Sequence, residues 1–211
     1  MFSIEDLLLK PLAQRTGFPI VTKLAKGNPL TGRFRIAGLD IQNPEIFPLR
    51  PFLSLVEAKG HLSPTSLMGG TVRVRELFIH LREITGIRAE SGVVNIEQFR
   101  AGIEEKTKID EAAIEKHQRA LHIRRLTVKV DRVSTVDFRD GQGDRRDYHL
   151  DLTQEFEDVY DLLLVGSAIF ERCVAAGLSP AIDTIFATFL PAMIWNKING
   201  TNGEDPCHSV T

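Results

Sequence analysis

"GLDIQNPEIFPL", Gly38 to Leu49, is the stretch whose reading decides the fold. Leu39 and Ile41 alternate with Asp40 and Gln42, the pattern of a half-buried strand. Asn43-Pro44 then ends the ladder, because proline has no N–H to donate. A second apolar stretch, Ile46 to Leu55, follows at once, so the chain must leave the strand and return beside it.

Phe34-Arg-Ile36-Ala-Gly-Leu39-Asp-Ile41, Val72-Arg-Val74-Arg-Glu-Leu77-Phe-Ile79 and Leu121-His-Ile123-Arg-Arg-Leu126-Thr-Val128 obey one rule: apolar, x, apolar, x, x, Leu, x, apolar. The period is two, with a slip at the same place. A slip moves side chains to the opposite face unless a β-bulge absorbs the extra residue. Each strand therefore contains a bulge or changes its buried face midway.

Outward from these strands, Ser3 to Gly17 reads as a helix capped by Ser3, interrupted or restarted at Pro11 and closed by Gly17. Ile20, Thr22 and Leu24 alternate before a Gly27-Asn28-Pro29 turn. Asn95 reads as the cap of a helix with Ile96, Phe99 and Ile103 on one face, and helical texture continues to about residue 120. Strand texture returns from Leu121 to Phe138, and a Gly- and Asp-rich turn sends "DYHLDLTQEF" back as a hairpin. The expected fold is α+β: a bent, bulged antiparallel β-sheet, a meander, packed against several α-helices. Its parts are a leading helix (1–17), a sheet domain (18–156) with a helical insertion (95–120), C-terminal apolar helices on the sheet (157–198) and a disordered tail (199–211).

Composition bounds the function. The 211 residues are 43% hydrophobic and 26% charged, with 26 basic against 28 acidic residues and a net charge of -2. That balance gives no global electrostatic reason to bind nucleic acid or an anionic membrane surface. Cys173 and Cys207 make no disulfide framework. The region from Leu162 to Trp195 is the most apolar, but Glu171, Arg172 and Asp183 interrupt it, and it reads as amphipathic helices rather than a membrane span. Trp195 serves either to seal the core or as an interfacial anchor.

Catalytic and metal-binding patterns are thin, and neither an enzyme, a cofactor nor a metal is expected. Asp147, His149 and Asp151 alternate on one strand with a spacing that would suit a divalent ion, but a solvated hairpin edge accounts for them better. His117 and His122 do not share a helical face, and Asn199-Gly-Thr matches a glycosylation triplet in a tail.

The ordered series "PLTGRFRIAGLDIQNPEIF", "LSLVEAKGHLSPTSLMGGTVRVRELFIH" and "SGVVNIEQF" resembles the N-terminal region of the AsmA-like family. The matching positions are Leu39, Ile41, Asn43, Pro44, Phe47, Ser66, Leu67, Val72, Val74, Leu77 and Asn95, over about residues 7 to 105. The resemblance implies a non-enzymatic bacterial envelope protein, periplasmic and associated with the inner membrane, related to bridge-like lipid-transfer proteins. The family's N-terminal membrane helix is not seen here, so an anchor upstream of Met1 or a soluble relative is expected; a cytoplasmic location is the alternative if the chain is complete as given. The long strand series of larger relatives is also missing, which favours a local binder of phospholipid over transport across a whole periplasm.

The sheet chemistry is compatible with such a role. Val21, Phe34, Ile36, Leu39, Ile41, Val56, Leu62, Val72, Val74, Leu77, Ile79, Leu81, Leu126, Val128 and Val130 are expected on one inner face, which helices or an apolar ligand must cover. Of these, Ile36, Leu39, Ile41, Val72, Val74, Leu77, Ile79, Leu126 and Val128 are the candidates for lipid contact or core, and Arg124, Arg125 and Lys129 those for head-group contact. The alternative is a structural or protein-interaction module with a closed core and no lipid site.

Overall fold

The computed structural model describes residues 5–68, 71–109 and 120–160, together with 165, 171, 172, 174, 175 and 177. A π-helical turn (Glu5–Leu9) leads into α1 (Lys10–Thr16). Pro11 sits in the first turn of α1, where its missing N–H costs nothing, and Gly17 ends the helix with φ 73. Six strands then form one sheet in chain order: β1 (Ile20–Asn28), β2 (Arg33–Gln42), β3 (Pro51–Leu62), β4 (Thr71–Arg88), β5 (Ala120–Asp137) and β6 (Asp144–Val159). A 3-10 turn (Pro64–Met68) lies between β3 and β4, and α2 (Asn95–Ile109) between β4 and β5.

The expected α+β meander is corrected in two respects. The sheet is mixed: β1 to β4 and the β5–β6 hairpin pair antiparallel, but β4 and β5 are parallel from Thr71↔Ala120 to Arg88↔Asp137. A parallel pair needs a crossover connection, and the segment carrying α2 supplies it, returning the chain to the end of the sheet where β4 began. What reads as an insertion is the connection that sets strand direction. The protein is also dominated by its sheet: among the described residues only α1 and α2 are α-helices of any length. The sheet itself reaches to Val159, past the expected boundary at 156. Most of the apolar region 157–198, and all of the tail 199–211, lie outside the described residues, as do His117, Cys173, Trp195, Asn199 and Cys207.

At each slip the pairing is interrupted: between β3 and β4 and between β5 and β6 the register itself shifts, as at a bulge, whereas between β1 and β2 and between β4 and β5 the interruption is matched on both strands and the register is kept. Between β1, β2 and β3 the pairing steps over Lys23, Gly38 and Val56, and between β4, β5 and β6 it steps over Arg82, Asp131, Leu150 and Asp151. These positions form one line across the sheet. A second line passes through Arg75, Arg124 and Asp158. Gly38 takes φ 59 at the first line; among the described residues the two non-glycine positions with positive φ, Asp151 (42) and Asp158 (50), stand one on each line. Aspartate is among the few side chains that tolerate that region. Because the slips are matched between neighbours, Ile36, Leu39 and Ile41 are all buried on one side, as are Ile123, Leu126 and Val128. Each line is a place where strands bend and twist more strongly.

The helices pack over one end of the sheet. Phe18, Phe52 and Phe99 form a cluster with ring centroids 5.0–5.2 Å apart, in tilted and edge-on contacts. Gly102 of α2 lies so close to α1 that a Cβ there would stand 2.7 Å from the Thr16 Cα.

Candidate functional site

The strand registers arrange one face of the sheet in apolar rows. One row runs Leu39, Leu55, Leu81, Val130, Leu152; the next runs Ile36, Ala58, Ile79, Val128; a third runs Phe34, Gly60, Leu77, Leu126, Phe156. Burial along these rows is uneven. On β2, Ile36 and Leu39 are buried in a cluster with Phe18, Phe52 and α2; on β5, Leu126, Val128 and Val130 are buried in a second cluster that includes the helical Val165. Between them, Leu53 and Leu55 of β3 and Leu77, Ile79, Leu81 and Ile84 of β4 are only partly buried. Central strands ordinarily bury most; here Ala58 of β3 is buried, but the larger side chains around it on β3 and β4 form a half-buried apolar seam flanked by two well-covered patches.

The expected contact residues divide accordingly. Ile36, Leu39, Ile41, Val74, Leu126 and Val128 are buried core, while Val72, Leu77 and Ile79 are partly buried. Leu77 and Ile79 lie on the seam. Val21 is 54% exposed, a correction to the inner face: β1 is an edge strand whose Ile20 and Ala25 turn inward instead. Val56 falls on a bulge line and takes no regular place in a row.

The head-group candidates do not converge. Arg124 is exposed at the second bulge line. Arg125 lies 3.9 Å from Glu76, and Lys129 3.2 Å from Asp131. Four positions apart on one strand, Arg125 and Lys129 are separated by roughly 13 Å. The Asp147, His149 and Asp151 alternation is broken by the bulge at Asp151, and Asp147 is engaged by the Ser134 hydroxyl at 2.6 Å and by Arg145 at 3.0 Å. Among the described residues no three His, Cys, Asp or Glu side chains gather as a metal-ligand set.

Charge on the opposite face is organised in pairs and small networks. Glu83 receives Arg132 at 2.6 Å and Arg145 at 3.2 Å. The Ser134 hydrogen bond, with Arg145 and Arg132 behind it, holds the Asp147 carboxyl below its ordinary range against the opposing effect of burial. Lys59, then Arg35, does the same for Glu57, again against burial. For Asp131, burial works upward, but hydrogen bonds from His80 and Lys129 outweigh it and the net shift is downward.

A feature that strand alternation does not reveal lies at the end of the sheet. Asn43 and Asn95, both buried, are joined side chain to side chain at 2.9 Å. Asn43 Nδ2 also donates to the carbonyls of Leu49 and Pro51, each at 3.0 Å. Its backbone N–H donates to Arg50 O at 2.6 Å. Asn43 therefore clamps the loop after Pro44 at both ends, which explains why β2 stops at Asn-Pro and β3 begins so soon after. α2 begins at Asn95, but the side chain expected to cap the helix instead accepts the Ile87 N–H at 2.8 Å and donates to Thr85 O at 2.8 Å.

No family model matches the chain, and no curated protein matches it either. Among the described residues no helix is long and apolar enough to cross a membrane.

Proposed function

We propose that the chain is a non-enzymatic lipid-binding or lipid-guiding module of the bacterial envelope, built on AsmA-like lines, in which acyl chains lie over the apolar seam of β3 and β4. The observation that carries this reading is the uneven burial of the sheet: Leu55, Leu77, Ile79 and Leu81 are only partly buried, whereas Ile36 and Leu39 of β2 and Leu126, Val128 and Val130 of β5 in the same rows are buried. Acyl chains bind through buried area, at about 0.8 kcal/mol per methylene, and require smooth apolar surface rather than a fixed polar constellation. The bulge lines support the reading because they let long strands curve around such a ligand. A periplasmic location beside the inner membrane, with phospholipid as partner, belongs to the same proposal.

A second reading, an envelope interaction module with a closed core, is favoured by Val165, which is buried in the same apolar cluster as Leu126, Val128 and Val130. Mass spectrometry of solvent extracts from the purified full chain separates the two. Co-purified phospholipid or fatty acid in near-stoichiometric amount is expected; a well-folded protein that yields none overturns the lipid reading and leaves the second.

A further inference from the structure

The face opposite the apolar rows carries an open groove of about 580 Å³ across β2 to β6. Two adjacent polar rows form its floor: Arg35, Lys59, Phe78, Thr127 and Glu155 in one, Arg33, His61, Glu76 and Arg125 in the other. Charge is sorted along these rows. At one end β2 and β3 contribute Arg33, Arg35, Lys59 and His61; the lining acids, Glu76 and Glu155, come from β4 and β6 and stand on either side of Arg125 on β5.

Within the basic end the carboxylates are outnumbered. Glu57, one row away, is shared by Arg35 at 2.6 Å and Lys59 at 3.1 Å. Arg33 is exposed, and its guanidinium has no partner among the described residues. Phe78 places an aromatic ring on this polar face, with the Lys59 ammonium 4.9 Å from its centroid. Arg33 and Arg35 are two positions apart on one strand, so their side chains leave the same face about 7 Å apart. That spacing lets two planar guanidinium forks approach one tetrahedral anion from neighbouring sides, the geometry in which arginine outperforms lysine. The groove is also within the volume range of small-molecule sites and has room for more than a bare ion.

We propose that this groove binds a phosphate-bearing ligand, with the phosphate held by Arg33 and Arg35, supported by Lys59 and His61, and the rest of the ligand over Phe78. The inference stands apart from the acyl-chain reading, since it concerns the other face of the sheet. The phosphate has two possible sources, a soluble phosphomonoester or a phospholipid head group.

The test uses the full chain with two probes: glycerol 3-phosphate, followed by amide chemical shifts, and flotation with phosphatidylcholine vesicles with and without phosphatidic acid. Saturable shifts centred on residues 33, 35, 59 and 61 assign a soluble ligand; binding only to the phosphatidic acid vesicles assigns a head group. Either result supports the site if R33Q weakens binding about tenfold or more, about 1.4 kcal/mol, while R124Q does not. The Arg33 guanidinium holds nothing in the fold, so R33Q is expected to melt as the wild type does, and R33Q/R35Q should deepen the loss. Failure of both probes to bind, or equal binding by R33Q/R35Q and wild type, overturns the proposal.

Discussion

Asn95 donates from Nδ2 to the Oδ1 of Asn43, 2.9 Å away, and so ties the start of the crossover helix to the loop between β2 and β3. Both residues are almost fully buried, and their other bonds go to backbone groups of Thr85, Ile87, Leu49 and Pro51. Replacing Asn95 by Ala strands a buried N–H and a buried carbonyl, at a cost of about 1–3 kcal/mol for each unsatisfied group. Asn95→Ala is therefore expected to lower the urea midpoint by more than Pro44→Ala, which removes no hydrogen bond. An Asn95→Ala protein as stable as wild type would refute the role given to this pair.

Gly38 sits on the first bulge line with φ 59. An alanine there would enter the left-handed region and crowd the Lys23 side chain, whose Cδ would be 2.8 Å from the new Cβ. The lysine can move away, so the backbone term dominates, at about 1–2 kcal/mol. Gly38→Ala should lose about that much in equilibrium unfolding, and Gly38→Asn less, since asparagine accepts the conformation better.

Leu77 and Leu126 are row neighbours with different surroundings: Leu126 is 1% exposed, Leu77 only partly buried. Leu126→Ala is expected to cost about 2–5 kcal/mol, as for a fully packed leucine. Leu77→Ala should cost clearly less in a thermal melt but reduce the lipid recovered by extraction. Leu77→Asp, which sets an unpaired charge in the seam, should abolish lipid retention and lower stability strongly. Equal melting losses for the two alanine variants would contradict the uneven burial.

The carboxyls of Glu57, Asp131, Asp137 and Asp147 all lie below their ordinary range in the folded protein. Each therefore binds a proton less readily folded than unfolded. Near neutral pH both states are ionised and the stabilisation is fully present; below about pH 4, where ordinary carboxyls titrate, the unfolded chain takes up protons first and stability falls. Urea midpoints should therefore decline between about pH 5 and about pH 3, the window in which carboxylates titrate. Asp147→Asn should flatten that decline; a midpoint that rises on acidification would contradict the assignment.

Much of the sheet was legible in the sequence. Alternation located β2, β4 and β5, the shared slip pointed to bulges, and the Gly- and Asp-rich segment before Asp144 marked the β5–β6 hairpin. Strand direction was not legible, because a period of two looks the same whichever way a neighbour runs. The clue lay in the length of the segment after Arg88, too long for a hairpin and helical in texture. Val21 was misplaced because alternation is weakly enforced on an edge strand. The Asn43–Asn95 bond is not legible for a different reason: in the sequence each residue has a sufficient local explanation, as strand stop and as helix cap, and their meeting depends on the tertiary fold.

The parallel pairing of β4 with β5 has a kinetic consequence. Thr71 meets Ala120 and Arg88 meets Asp137, so no contact along that junction can form until the intervening chain has closed a long loop and surrendered its entropy. The neighbouring hairpins need no such wait. Assembly should thus proceed as two locally nucleated halves whose docking limits the folding rate, giving the protein the slow pace of a topology rich in distant contacts.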